Sequence, residues 1–340
     1  MNVAVDGMGG DYAPGVIVEG AVQAASELGI DITLVGDEKI LAKELDLHSC
    51  SGNIVIHHCD EAVQMDETPL KAVRQKKGAS IMVAFGLLKK GAVDAVVSAG
   101  NSGATLASGI LTLGRVEGLE RPGIASILPG ENGPVVLIDV GANVDCRPAH
   151  LLQFGLMAHA FVNSCLNVPN PKIGLLSVGA EDSKGNDQVR LAHELLKQSK
   201  LNFVGNVEGR DIFEGKVDIV VCDGFVGNVV LKLSEGIVQV MSRLLKKELM
   251  NSFFGRARFL LARRPIKKLQ ARFDHEAYGG APLLGINGVG IICHGGSSPR
   301  AIKNAIGQAS LYVRSRMIEK MVQVLITMNA EEEVYGRNHY

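Results

Sequence analysis

The sequence predicts a doubly wound α/β fold with a mostly parallel sheet, and three observations carry that prediction. Short β-branched runs recur along the chain and end in small or Gly-rich loops, as in NVAVDGMGGD, VDAVVSAGNSGA and VVLIDVGANVD. These runs are apolar without alternation, which is typical of strands buried on both faces. Helical patterns separate the runs, including Ile81–Lys90 and Asp187–Gln198, and this order indicates βαβ units.

Composition restricts the class of protein. The chain has 340 residues and a net charge of −1, which argues against a nucleic-acid binder or an acidic solvating segment. Its six cysteines form no C-x-x-C pair, so we interpret them as buried reduced thiols in a reducing cytosol. The chain opens on a strand-like run without a signal peptide, and no apolar run reaches the roughly 18 residues of a membrane span. We expect a soluble, cytoplasmic protein.

The sequence predicts a single α/β domain over residues 1–340, with one inserted segment. From Val229 to Met250 the apolar spacing is helical, a basic segment follows, and a Gly-rich run returns to the sheet. The sequence therefore predicts a helical arm, residues 229–280, inserted into the sheet domain. A final helix is predicted from about Pro299 to Met328, followed by a frayed tail.

Two loops have the features of anion-binding sites. SAGNSGAT at 98–105 and HGGSSPRAI at 294–302 place glycines and hydroxyl or amide donors directly before a helix. Glycine lets backbone N–H groups approach an anion, and the helix N-terminus attracts negative charge. The alternative is that these glycines only form tight strand–helix turns. His294 is notable because it ends an apolar strand and opens one of the two loops.

The familiar signatures of other chemistries are missing. GRDIFEGKV is not a Walker loop, and GINGVG is neither G-x-G-x-x-G nor placed after a strand. The histidines show no H-E-x-x-H spacing, and Ser102 lies in GNSG instead of a G-x-S-x-G elbow. These absences disfavour a nucleoside triphosphate or classical dinucleotide site and a metal site, and without a convincing covalent nucleophile we favour direct attack by a bound co-substrate.

Two further polar loops could carry the reaction. Lys184 lies in AEDSKGND, between a strand and a helix, where a lysine could neutralise phosphate as a compact charge. The alternative is an ordinary exposed lysine. Asn228 lies in CDGFVGN at a helix start, where its amide could donate to a reacting oxygen or simply cap the helix.

The predicted arm is strongly basic. Residues 246–272 hold nine basic residues and one acid, with phenylalanines and leucines between them. This mixture suits the headgroup region of an anionic membrane. An acidic protein partner and an oligomer contact are the alternatives, whereas few stacking aromatics argue against nucleic acid. The membrane-contact candidates are Phe253, Phe254, Arg256, Phe259, Leu260, Leu261, Arg263 and Arg264.

Six motifs in order, over nearly the whole chain, resemble those of the bacterial phosphate acyltransferases of phospholipid synthesis. They are VAVDGMGGDYAP, SAGNSGA, LIDVGAN, SVGAEDSKGN, CDGFVGNV and GVGIICHGGS. The resemblance implies transfer of a long-chain fatty acyl group from acyl carrier protein to inorganic phosphate, without a cofactor. It also implies a fold like that of phosphotransacetylases and isopropylmalate-type dehydrogenases, a homodimer, peripheral membrane attachment, and a downstream membrane glycerol-3-phosphate acyltransferase as a partner.

Carried over to this chain, the resemblance makes Lys184 and Asn228 the catalytic pair. The phosphate- and substrate-binding candidates are the glycines and polar residues of the same motifs: Asp6, Gly9, Gly10, Asn101, Ser102, Gly103, Asp139, Asn143, Asp223, His294, Gly295, Ser297 and Ser298. Three other functions stay open: a phosphotransacetylase that uses acyl-coenzyme A, an isopropylmalate-type dehydrogenase, and a non-catalytic membrane adaptor.

Overall fold

The computed structural model describes residues 1–250 and 275–336. The strands in these ranges are β1 (Asn2–Asp6), β2 (Asp31–Gly36), β3 (Ile54–His58), β4 (Ala95–Ser98), β5 (Gly123–Gly130), β6 (Gly133–Ile138), β7 (Ile173–Leu176), β8 (Phe203–Val207), β9 (Ile219–Val221), β10 (Ala281–Leu284) and β11 (Val289–Ile292). The helices are α1 (Gly15–Leu28), α2 (Glu38–Leu45), α3 (Pro69–Gln75), α4 (Ser80–Lys89), α5 (Ser102–Leu113), α6 (Pro148–Cys165), α7 (Asp187–Gln198), α8 (Gly224–Met250), α9 (Pro299–Arg314) and α10 (Met317–Gly336), with a 3₁₀ turn at His275–Ala277.

The described strands form one sheet in the order β3-β2-β1-β4-β11-β10-β5-β6-β9-β7-β8. The first five are mutually parallel, and so are the last four. Between these two groups, β11–β10, β10–β5 and β5–β6 are antiparallel. Three reversals make the two parallel groups run in opposite directions. The predicted mostly parallel, doubly wound sheet is thus confirmed, with an antiparallel centre that the sequence did not reveal.

The register of the central strands brings the carboxyl ends of both groups to the same level. Ile292, at the end of β11, pairs with Ala281, and two residues along β10 Leu283 pairs with Ile124. The next residue of β5, Ala125, pairs with Ile138 at the end of β6. Ligands of open α/β sheets bind outside the carboxyl ends of strands. Here the carboxyl ends of the two groups, represented by β11 and β6, border one common space.

Helices cover both faces of the sheet, which explains the unalternating apolar strands. Val3 and Val5 of β1 point into one hydrophobic core, whereas Ala4 between them points into the other. On the first face α1 packs on α9, so closely that a Cβ on Gly20 would lie 2.6 Å from the Cβ of Ile302. The six cysteines all lie in the described ranges as free thiols; four are buried as predicted, whereas Cys50 and Cys146 are half-buried.

Helix α7 has the predicted bounds, but the predicted single C-terminal helix is wrong. It is divided into α9 and α10 because the chain turns at Ser315 and Arg316, where Arg316 has a φ of 52°. This left-handed conformation is unfavourable for a residue with a side chain and interrupts the helix. Helix α10 then continues to Gly336, beyond the predicted end.

Helix α8 begins at Gly224, before the predicted start of the arm at residue 229, and exposes apolar residues along its outer side. Four large apolar side chains on this side are 53–62% exposed, namely Phe225, Leu233, Ile237 and Met241. Such a row of exposed apolar side chains is unusual on a helix that contacts only solvent. Its opposite side carries mostly polar residues that line a cleft, described below. The eight membrane-contact candidates, Phe253 to Arg264, lie outside the described residues. Within the described ranges, no helix is both long and apolar enough to cross a membrane.

Candidate active site

A cleft of about 1160 Å³ lies where the two groups of strands meet at their carboxyl ends. It exceeds the ~300–1000 Å³ typical of small-molecule pockets, so it has room for an extended ligand. The first wall is formed by the N-termini of α5 and α9, the second by the loop after β6 and by α8, and the floor by β5 and residues 279–281.

At the first wall, Ser102 faces the cleft as the exposed first residue of α5. Its neighbour Asn101 caps the helix, since its Oδ1 accepts a hydrogen bond from Ala104 N at 3.0 Å. The Asn101 Nδ2 donates to the carbonyls of Met65 and Glu67, both at 3.0 Å. The Asn101 side chain therefore shapes the wall, and Ser102 is the residue available to a ligand.

The loop after β11 completes this wall. His294 and the buried Ser297 line the cleft, and the His294 Nδ1 accepts a hydrogen bond from Gly296 N at 3.1 Å. Ser298 instead caps α9 by accepting from Ala301 N at 3.3 Å, and it donates to Glu276 at 2.8 Å. Hydroxyl groups and helix N-termini at two neighbouring strand ends are the donors expected at an anion site.

At the second wall, Asn228 lines the cleft from the second turn of α8. The cap of this helix is Asp223, whose Oδ1 accepts from Val226 N at 2.9 Å. Of the two roles considered for Asn228, helix capping is thus filled by Asp223. A Cβ on Gly227 would lie 1.9 Å from the Asp139 carbonyl oxygen, so only glycine lets α8 approach the loop after β6 closely enough to hold Asn228 there.

A buried carboxylate fixes the loop behind Asn228. Asp139 is fully buried, and its Oδ1 accepts from the backbone N–H of Ile124 and Ala142 at 3.0 and 3.1 Å. Its Oδ2 accepts from the backbone N and side-chain Nδ2 of Asn143 at 2.7 and 3.0 Å. Burial raises the pKa of Asp139, although these hydrogen bonds oppose the shift. Asp139 and Asn143 therefore hold the wall together from below the surface.

Asp6 has the corresponding place behind the first wall. Its carboxylate is 3% exposed and accepts from the hydroxyls of Ser80 at 2.6 Å and Ser98 at 2.8 Å. Burial raises its pKa, against the effect of these hydrogen bonds. The following Gly9 and Gly10 pack tightly: a Cβ on Gly9 would lie 2.5 Å from the Asp6 Oδ2, and Gly10 has a φ of 123°.

These two carboxylates should respond differently to the same substitution. Asp139→Asn is expected to lower the free energy of unfolding by about 2–3 kcal/mol, because its new NH₂ group must face backbone N–H donors that cannot become acceptors. Asp6→Asn is expected to cost less, because two of its donors are the hydroxyls of Ser80 and Ser98, which can rotate and accept, beside one long hydrogen bond from Met8 N at 3.3 Å. Urea unfolding followed by circular dichroism measures both, and equal losses would contradict this account.

Lys184 is not among the residues that line the cleft. It is exposed on the loop 177–186 between β7 and α7, and its backbone N donates to the Glu181 carbonyl at 3.0 Å. Its side chain extends across Gly179, where a Cβ would lie 3.1 Å from the Lys184 Cγ. Because β7 neighbours β9 in the sheet, this loop lies at the same sheet edge as the start of α8.

Comparison with known proteins identifies the family. The model of a family described as "fatty acid synthesis protein" matches residues 1–320. Proteins named phosphate acyltransferase from Trichlorobacter lovleyi and Geotalea daltonii are 51% and 53% identical to the chain, over 96% of it and 94% of their own length. The chain belongs to the phosphate acyltransferase family. It is therefore an acyltransferase, as the ordered motifs predicted.

Solved structures confirm the fold of this acyltransferase. A phosphotransacetylase from Streptococcus pyogenes superposes with a TM-score of 0.61 at 20% identity, covering 94% of both chains. A 4-hydroxythreonine-4-phosphate dehydrogenase from Klebsiella pneumoniae superposes with a TM-score of 0.52 at 16% identity, covering 92% of this chain and 99% of its own. At these identities the likeness concerns architecture alone.

The acyltransferase cleft unites four of the residues predicted from the sequence, namely Ser102, Asn228, His294 and Ser297. The remaining predicted residues that lie near the cleft support its walls. Gly103 belongs with them, since a Cβ there would lie 2.6 Å from the Cγ of Pro69. Gly295 does as well, because its carbonyl accepts from Asp11 N at 2.9 Å.

Sequence reasoning missed Gly227, although the spacing of Gly224 and Gly227 on one helix face was a usable signal of close packing. It also missed the apolar floor of the cleft, because Ile124 and Leu128 on β5 look like ordinary strand residues.

Proposed function

We propose that this acyltransferase moves a long-chain fatty acyl group from an acyl carrier protein thioester to inorganic phosphate and produces acyl phosphate. The observation that carries the proposal is the composition of the cleft, in which anion donors on one wall face the Asn228 amide on the other. The attacking phosphate needs the anion donors, and the oxyanion that develops on the thioester carbonyl needs the amide donor. The names of the close relatives, phosphate acyltransferase, support the same acceptor.

The proposed reaction needs no covalent intermediate on the protein. A phosphate oxygen attacks the thioester carbonyl carbon and forms the new C–O bond, while the C=O π electrons move to the carbonyl oxygen. The Asn228 Nδ2–H group donates to this oxyanion. When the carbonyl re-forms, the C–S bond breaks and the thiolate leaves with the electron pair, later taking a proton from water. The protein contributes position and charge stabilisation.

Lys184 is proposed to neutralise the attacking phosphate. Within the described residues its ammonium group forms no ion pair, so its charge is available to a ligand. Its four-carbon stem is flexible, and its loop lies at the same sheet edge as Asn228. In this proposal the ammonium group turns into the cleft when phosphate binds.

The apolar part of the cleft is proposed to hold the acyl chain. Ile124 and Leu128 on β5, Phe213, and Leu231 and Val238 on α8 all line it. Burying one methylene contributes about 0.8 kcal/mol, so a long chain gains enough from this surface to orient its thioester carbonyl near Asn228.

A two-donor assay tests the proposed function. The purified enzyme is incubated with labelled phosphate and either palmitoyl–acyl carrier protein or palmitoyl-coenzyme A, and acyl phosphate is trapped with hydroxylamine. We expect label in the trapped product with the carrier-protein donor only. Label only with coenzyme A would make the protein a phosphotransacetylase, the alternative whose fold it shares. No label with either donor would refute transfer to phosphate.

A homodimer is proposed to cover the outer side of α8. Leu233 and Ile237 lie one helical turn apart and are 62% and 53% exposed. A second copy offers the same face, as a two-fold interface requires. We expect Leu233→Glu with Ile237→Glu to halve the mass measured by light scattering. Leu111→Glu with Leu191→Glu, at exposed leucines on α5 and α7, is the matched control. A double variant at α8 with unchanged mass would refute this interface.

The basic segment is proposed to attach the enzyme to the cytoplasmic side of an anionic membrane, where a membrane glycerol-3-phosphate acyltransferase could take up the product. This proposal rests on composition, because the segment lies outside the described residues. Phe254→Glu with Leu261→Glu is expected to abolish co-flotation with anionic vesicles. Leu47→Glu with Leu70→Glu, at other exposed leucines, should leave flotation intact. Flotation of the Phe254 and Leu261 variant would contradict the proposal.

A further inference from the structure

A pair of buried polar side chains lies beneath the loop that carries Lys184. His193 on α7 and Asn206 on β8 are 1% and 6% exposed, and the His193 Nδ1 is 3.0 Å from the Asn206 Oδ1. The His193 ring also packs edge-on against Phe203, at 5.1 Å between ring centroids. Burying two polar groups is costly unless each forms hydrogen bonds. The groups that they contact therefore indicate which part of the structure the pair stabilises.

The partners are in the loop 177–186. The Asn206 Nδ2 donates to the Glu181 carbonyl at 2.8 Å, which orients the amide so that its Oδ1 faces His193. The His193 Nδ1 therefore carries a hydrogen and donates to that oxygen, while its Nε2 lies 3.5 Å from the Asp182 carboxylate. Both buried side chains thus contact consecutive residues of the loop.

A single oxygen atom connects this pair to Lys184. The Glu181 carbonyl accepts from the Asn206 Nδ2 and also from the Lys184 backbone N at 3.0 Å. Apolar packing contributes little to the shape of the loop, since Val178 is 84% exposed and residues 180–184 are all exposed. Polar contacts therefore determine where the Lys184 backbone lies, and beside the buried pair they include the exposed ion pair of Lys197 with Asp182 at 2.8 Å.

We infer that the His193–Asn206 pair positions the Lys184 loop for phosphate, an inference that rests on the proposed role of Lys184. His193 and Asn206 are positioning residues: they act through the Glu181 carbonyl and contact no substrate. A loop held in one conformation loses less conformational entropy when Lys184 engages phosphate. Loosening the loop should consequently weaken phosphate use and leave thioester use unchanged.

Asn206→Asp is the informative substitution, because it keeps the Oδ1 acceptor for His193 and replaces the donor to Glu181 by a carboxylate oxygen that repels the Glu181 carbonyl. Asn202→Asp is the control for the added charge, at a half-buried position directly before β8, where the Asn202 Nδ2 donates to the Asn170 carbonyl at 3.1 Å. Each variant loses one amide donor to a loop carbonyl, at opposite ends of the same strand. Thermal unfolding followed by circular dichroism verifies that both are folded.

Two measurements decide the inference. Hydrogen exchange of residues 178–186 is expected to accelerate about tenfold in Asn206→Asp and not in Asn202→Asp, because opening of the loop becomes easier. The KM for phosphate is expected to rise about tenfold in Asn206→Asp with the KM for the thioester unchanged. A merely structural role would lower kcat through loss of active protein and leave both KM values as they were.

Exchange that does not change in Asn206→Asp overturns the inference whatever the enzyme's reaction is. Faster exchange in Asn206→Asp with an unchanged KM for phosphate also overturns the inference. In that case the turnover of Lys184→Ala shows whether the proposed role of Lys184 fails as well. An inactive Lys184→Ala beside a normal Asn206→Asp removes the positioning role and leaves the proposed function standing.

Discussion

Replacing Lys184 by alanine is expected to lower kcat/KM for phosphate by about 10²–10³-fold, the range found for removal of one charge-stabilising donor. The attacking phosphate is multiply charged, and without the ammonium group it approaches the carbonyl with less neutralisation. Because Lys184 is exposed, the free energy of unfolding should change by less than about 0.5 kcal/mol. Steady-state rates at varied phosphate, with urea unfolding of the same samples, measure both quantities.

Lys39→Ala is the matched control, since Lys39 is also an exposed lysine and lies on α2, away from the cleft. Its kinetics should equal those of the unmodified enzyme. Lys184→Arg keeps the charge but replaces a compact ammonium by a planar fork, and we expect intermediate activity. Full turnover by Lys184→Ala would remove this residue from the mechanism.

Replacing Asn228 by alanine is expected to lower kcat by about 10²–10³-fold with little change in either KM. The amide donor is proposed to meet an oxyanion that exists only after phosphate attacks, so its loss raises the barrier without weakening substrate binding. Single-turnover rates of acyl phosphate formation, with both substrates saturating, measure the effect directly.

The control for Asn228 is Asn53→Ala, which removes an exposed asparagine whose Nδ2 donates to Asp31 at 3.1 Å, far along the sheet. It should not alter kcat. A large rise in the KM for phosphate in Asn228→Ala, with kcat preserved, would mean that Asn228 binds the acceptor instead of the oxyanion. Unchanged kinetics would exclude it from both roles.

Local patterns in the sequence predicted most of the fold. Helix α7 has the predicted bounds because Asn186 caps it, accepting from Val189 N at 2.9 Å, and a clear apolar stripe follows. The opposed directions of the two strand groups could not be predicted, because they depend on β5 pairing with β10 across more than 150 residues of chain. Periodicity carries no information on such long-range pairing.

The site was predicted less completely than the fold. Polar residues at strand ends were all interpreted as ligands, although Asp139 and Asn101 use their side chains to hold backbone groups. Sequence alone cannot separate the two roles, since both favour the same residue types in the same loops. His193 and Asn206 were missed because each is a single polar residue in an amphipathic element, and only their contacts reveal a shared target.

The separate anchoring of the two buried aspartates has a consequence for how substitutions in the two walls combine. Asp6 anchors one wall through Ser80 and Ser98, Asp139 anchors the other through Ile124, Ala142 and Asn143, and they share no partner. Distant sites without common contacts behave additively. A substitution that loosens one wall is therefore expected to leave the support of the other wall unchanged, so the two walls can be altered separately.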